Sequence, residues 1–117
     1  DYVAYTAMMV TQSFRDENPE LVQNFVNALY KGQQWVDTHS AEEIANAIAP
    51  SFPDSDIKLI TKVVENYKSI NAWKTEPSTL EADFNQLLKV IEQAGNIDKK
   101  PEYSKIVDNS FAQKAVQ

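Results

Sequence analysis

Residues 2–11 read Tyr-Val-Ala-Tyr-Thr-Ala-Met-Met-Val-Thr, an apolar run with no polar alternation. That pattern predicts a strand covered on both faces, as in parallel or mixed sheets flanked by helices. Downstream the period changes. Leu21, Val22, Phe25, Val26, Leu29 and Val36 fall on one side of a 3.6-residue wheel, with Ala28, Gly32 and Trp35 at its edge. The spacing predicts a helix from Pro19 to about Asp37, with a stripe broad enough to meet a sheet or several helices. Ile44, Ala45 and Ile48 mark the inner face of a second helix, ending before Pro50. Ile57, Ile60, Val63, Val64 and Tyr67 mark a third, fading around Ile70 to Trp73. Leu80, Phe84, Leu87, Leu88 and Ile91 mark a fourth. Ile106, Val107, Phe111 and Ala115 predict one or two short helices in the tail. The expected chain is mostly α: one N-terminal strand at about 2–11, four main helices and a short helical tail.

Helix boundaries are written in end-group chemistry. In Asn18-Pro19-Glu20, Asn18 can accept from a first-turn N–H, Pro19 suits the first helical position, and Glu20 complements the positive dipole end. Ser40 and Glu43 match a capping box, and so do Ser78 and Glu81. Asp54 or Ser55 is placed to cap the third helix, after a turn enforced by Pro50 and Pro53. Gly95 is expected to end the fourth helix in the left-handed region, with Ile97 folding back in a Schellman contact.

A strand at 2–11 has no strand partner elsewhere in this pattern. Peptide groups left unpaired in an interior cost about 1–3 kcal/mol each, so the strand implies that this chain is part of something larger. With 117 residues, 43% of them hydrophobic, the chain has the size of one ordinary domain. No internal repeat, low-complexity tract or long linker divides it, so residues 1–117 are expected to form a single partial domain.

Charge and composition exclude several classes. The net charge of −6, from 11 basic and 17 acidic residues, argues against a nucleic-acid partner. Phosphate binding needs Lys and Arg gathered on one face, and here they are scattered, apart from Lys99-Lys100 beside Asp98 and Glu102. The lack of cysteine removes disulfides, thiolate nucleophiles and the commonest structural zinc sites. No apolar run approaches the roughly 20 residues that span a bilayer. The chain opens without signal-peptide features, so any export signal is expected upstream.

Catalytic chemistry is thin, and no enzyme activity, cofactor or metal is expected. His39, the only histidine, lies just past the first predicted helix, where an imidazole suits the dipole. Ser13, Ser40 and Ser51 lack a nucleophile-elbow glycine context. Glu42-Glu43, Asp54 with Asp56, and Glu81 with Asp83 sit at predicted helix starts, where capping accounts for them. Asp54-Ser55-Asp56 resembles a calcium-loop opening without its glycine or distal glutamate. Trp35, at the edge of a stripe, reads as packing. The candidate ligand contacts are Tyr5 and Thr6, on a strand that could end at a ligand crevice, and Trp73, at a helix end before a proline break.

The succession of Tyr5-Thr6-Ala7-Met8-Met9-Val10-Thr11, the run from Asn18-Pro19-Glu20 to Asn27-Ala28, Trp35-Val36, and Ala41-Glu42-Glu43-Ile44-Ala45 resembles the C-terminal part of solute-binding proteins of ABC importers. Phe84-Asn85-Gln86-Leu87-Leu88, Ala94-Gly95 and the closing Tyr103-to-Ala112 run extend the likeness over essentially the whole chain. The likeness is to the group binding sulfonates, taurine, nitrate or the thiamine pyrimidine precursor. It implies a helical C-terminal fragment of a two-lobed α/β protein that closes by a hinge around a small molecule. It also implies capture outside the cytoplasmic membrane, periplasmic or as a surface lipoprotein, and delivery to an ABC permease.

Without the rest of such a fold, the strand and the first helix would expose apolar surface. Two copies are then expected to pair, through the strand or by exchanging helices. Two other classes fit the same residues: a self-contained helical interaction domain, with the opening segment as an extra helix, and a fragment of a cytoplasmic α/β enzyme.

Overall fold

A computed structural model describes residues 2–117. Among them there is no strand, and the elements are helical. They are α1 (Gln12–Glu17), α2 (Pro19–Thr38), α3 (Ala41–Ile48), a 3-10 turn at Ala49–Ser51, α4 (Ile57–Ser69), α5 (Glu81–Gln93), α6 (Tyr103–Ile106) and α7 (Ser110–Ala115).

The expected N-terminal strand is therefore corrected. Strand geometry needs a neighbouring backbone to exchange hydrogen bonds with, and helices satisfy their peptide groups internally. Of the opening segment, the Ala4 N–H reaches the carbonyl of Asp83, at 3.3 Å. The apolar side chains are not interior either, with Tyr5 91% and Met9 89% exposed. Without a strand among the described residues, the structure is all-α, which agrees with the mostly helical expectation and departs from it at residues 2–11. At Thr11 the backbone is still extended, and its hydroxyl accepts from the Phe14 N–H, opening α1, which the hydrophobic pattern did not signal.

The chain divides into two compact units. The first comprises residues up to Asn27 with Ser78–Gln117, and the second is Ala28–Pro77, so α2 contributes to both. In the second unit α3 packs against α4 around Ile44, Ala45, Ile60 and Val64. Val36, Ala41, Ile48 and Ala49 cover this core. Its helix starts are satisfied locally. Ser40 and Glu43 form the expected capping box, with N–H to oxygen distances of 2.9 and 3.2 Å. Asp56, rather than Asp54 or Ser55, caps α4 by accepting from the Lys58 N–H at 2.8 Å.

In the first unit Phe84, Leu88 and Ala112 are buried, and the Phe84 ring meets Tyr103 edge-on at 5.7 Å. The Ser78–Glu81 capping box does not form, and α5 starts after Leu80 with no side-chain cap. Tertiary bonds hold that turn instead. Asn109 takes the Thr79 N–H on Oδ1 and gives Nδ2–H to the Thr79 carbonyl, both at 3.0 Å, while the Tyr103 hydroxyl donates to the same carbonyl. Asn18 likewise turns away from α2. Its amide donates back to the Phe14 carbonyl at 3.1 Å.

The C-terminal ends obey glycine-type rules. Gly95 has φ 74°, with its N–H on the Glu92 carbonyl and the Asn96 N–H on that of Ile91, a complete Schellman pair. The end of α4 repeats this with Asn71, φ 51°, where the Asn71 and Ala72 N–H groups reach Lys68 and Tyr67. The stripe of α2 is only half covered: none of its residues is buried, and Leu21 and Phe25 stay exposed.

Candidate functional site

The Schellman turn at Asn71 sends the chain back along the second half of α2, and this return carries Trp73. Two glutamines of α2 hold it. Gln33 Nε2 donates to the Glu76 carbonyl at 3.1 Å, and Gln34 Nε2 to that of Thr75 at 2.9 Å. Trp73 meets Tyr67 edge-on, ring centroids 5.5 Å apart, and remains 40% exposed. The result is a depression of about 100 Å³. Gln33, Val36 and Asp37 of α2, Tyr67 and Lys68 of α4, and Asn71, Trp73, Lys74 and Thr75 of the return line it. Among the expected contacts, Trp73 thus sits at a concave surface. Tyr5 and Thr6 belong to the other unit, on the exposed opening segment.

The depression's floor is an electrostatic closure. Lys68 Nζ donates to the carbonyls of His39 at 2.6 Å, Val36 at 2.8 Å and Asp37 at 3.4 Å. These are carbonyls at the C-terminal end of α2, where the helix dipole is negative and intrahelical donors have run out. The ammonium has three N–H donors, and all three point at backbone oxygens. Periodicity could not reveal this role, because Lys68 pairs with residues about thirty positions earlier.

His39 completes the same terminus. Its Nδ1 lies 2.7 Å from the Trp35 carbonyl, which can only accept, so Nδ1 carries the hydrogen. The imidazole stacks on Trp35 at 4.2 Å and 23°, making Trp35 a partly exposed stacking partner rather than a core residue. Beside it, Glu43 is held below the usual carboxylate range, first by the Ser40 backbone N–H, then by its hydroxyl, with a smaller contribution from His39. In the other unit Asp108 is similarly lowered, by hydrogen bonds from Ser110 and then by Arg15, whose guanidinium lies 3.3 Å away.

A second, more open groove of about 460 Å³ runs over α3 and α4 past Glu42, Asn46, Lys58, Lys62 and Glu65. Its charges are mixed and no aromatic ring faces it. Among the described residues, no group of three or more His, Cys, Asp or Glu is placed to hold a metal ion, and no helix is long and apolar enough to cross a membrane.

Comparison with known proteins adds the functional context. No family model matches the chain, and no solved structure matches it significantly. Two curated proteins of Bacillus subtilis (strain 168) do. One, provisionally named binding protein YtlA, is 33% identical over 112 residues, covering 96% of this chain and 34% of the relative. The other, provisionally named aliphatic sulfonates-binding protein, is 29% identical over 115 residues, covering 93% of this chain and 32% of the relative. The chain therefore spans about a third of the length of the curated relatives it matches. Both names describe binding rather than catalysis, and the similarity supports a solute-binding relationship.

Proposed function

We propose that this chain forms part of an extracytoplasmic solute-binding protein, which captures a small sulfonate, nitrate or pyrimidine-like molecule and delivers it to an ABC permease. The observation that carries the reading is similarity along 96% of the chain to a protein named for binding. The second relative's name, with aliphatic sulfonates in it, supports placing sulfonates first among the solutes. Trp73, at its depression, is the proposed solute contact in one unit. Tyr5 and Thr6 are proposed contacts in the other. The exposed opening segment also supports pairing of two copies, which light scattering at micromolar concentration checks.

A thermal-shift screen of the entire gene product tests the solute class. Binding to the folded state alone raises the melting temperature as ligand exceeds its Kd, so one of the three solute classes should stabilise and unrelated sugars should not. A flat response across sulfonates, nitrate and pyrimidines contradicts the reading.

A further inference from the structure

Sulfur is confined to one place in this chain. The two methionines are the adjacent Met8 and Met9, and there is no cysteine, so the readily oxidised atoms of residues 1–117 are two neighbouring thioethers. Neither helix nor strand contains them, and they stand well exposed, Met8 at 70% and Met9 at 89%. Methionine is ordinarily among the most often buried residue types, where close packing keeps oxidants from its sulfur. Here neither sulfur has that shield.

Exposure of a thioether permits a defined reaction. The sulfur lone pair attacks one oxygen of a hydroperoxide, the S–O bond forms as the O–O bond breaks, and the departing oxygen leaves with a proton as water or an alcohol. Sulfur loses two electrons and the peroxide gains them. A thiolate would compete for the same oxidant, and this chain has none to offer. The product sulfoxide is polar and reducible by methionine sulfoxide reductases. Met8 and Met9 share the exposed apolar surface of the opening segment with Tyr5 and Val10, whereas the buried residues Val64 and Phe84 lie elsewhere. Oxidation therefore changes the surface and leaves the core intact.

We propose that Met8 and Met9 form a reversible oxidation site for hydroperoxides, whose sulfoxides make the opening segment polar and separate paired copies. The separation rests on the pairing reading given under the proposed function; the oxidation does not.

The gene product is treated with hydrogen peroxide and mapped by peptide mass spectrometry, with N-acetylmethionine in the same solution as an unshielded standard. Met8 and Met9 should each gain one oxygen at a rate comparable with the standard. Light scattering at micromolar concentration should show a pair before treatment and a single copy after it, because each polar sulfoxide buried without a partner weakens association about tenfold. Reductases specific for the two sulfoxide epimers should together restore pairing. Met8→Leu with Met9→Leu keeps the apolar surface without an oxidisable sulfur, and this variant should stay paired in peroxide. Oxidation far slower than the standard overturns the site. Pairing that survives full oxidation of both sulfurs, or a double leucine variant that separates in peroxide, overturns the switch. A single copy before treatment contradicts the pairing reading and the switch with it, and peptide mapping then decides the oxidation site by itself.

Discussion

Lys68 Nζ lies 2.6 Å from the carbonyl oxygen of His39, so a side chain of α4 closes the C-terminus of α2. Three backbone acceptors share this ammonium, and hydrogen bonds to charged groups are worth about 1.5–3 kcal/mol. Lys68→Met keeps the aliphatic stem and removes every donor. It should lower stability by about 2–3 kcal/mol in urea unfolding. Loss below about 0.5 kcal/mol, the range of an ordinary surface substitution, would show that water serves these carbonyls equally well.

The capping box at Ser40 links stability to pH. Hydrogen bonds from Ser40 hold the Glu43 pKa below its unfolded value, so the folded state favours the carboxylate. The stabilisation is complete above the ordinary glutamate pKa, about 4.3, and is lost as pH falls through the lower folded value. Glu43→Gln should therefore be less stable than the parent at pH 7, and the gap should narrow in acid. A gap that stays constant from pH 7 to pH 3 would contradict the assignment.

At the two Schellman turns, conformation rather than space decides substitutions. A Cβ at Gly95 would meet nothing within 4 Å, yet its φ is 74°. Gly95→Ala should cost about 1 kcal/mol through the left-handed backbone alone. Asn71→Gly should be tolerated, whereas Asn71→Val should cost about 1–2 kcal/mol, because a β-branched residue resists φ > 0. Melting temperatures of the three variants test the ordering.

Asn109 replaces the missing cap of α5 by binding both peptide groups of Thr79 and the Tyr103 hydroxyl. Asn109→Ala leaves the half-buried Thr79 N–H unpaired, while the Tyr103 hydroxyl still serves the Thr79 carbonyl, and should cost about 1–2 kcal/mol. Ser78→Ala, which would be damaging if the sequence-level capping box existed, should change stability by less than about 0.5 kcal/mol. The reverse ranking would contradict the observed turn.

These cases divide what sequence reveals from what it withholds. Ser40-x-x-Glu43 and Gly95 are local devices, complete within a few residues, and both are found as expected. The inner positions Ile44, Ala45, Ile60, Val64, Phe84 and Leu88 also emerged from periodicity, because burial follows helical spacing. The run at 2–11 misled. Its strand character depends on a neighbour the pattern cannot supply, and among the described residues it forms no strand and is mostly exposed. Ser78 and Glu81 matched a capping box, but Asn109 and Tyr103, distant in sequence, took the turn. Trp73 was singled out from its place at a helix end, and it does line a concavity. The roles of Lys68 and Gln33 were invisible, since each is defined by contacts 29 or more positions away.

Isothermal titration calorimetry of the gene product tests solute capture most directly. Aliphatic sulfonates, nitrate and aminopyrimidines are titrated in turn, and one class should give a saturable heat with one solute bound per polypeptide. The absence of saturable heat for all three classes, with folding verified by circular dichroism, would contradict the account.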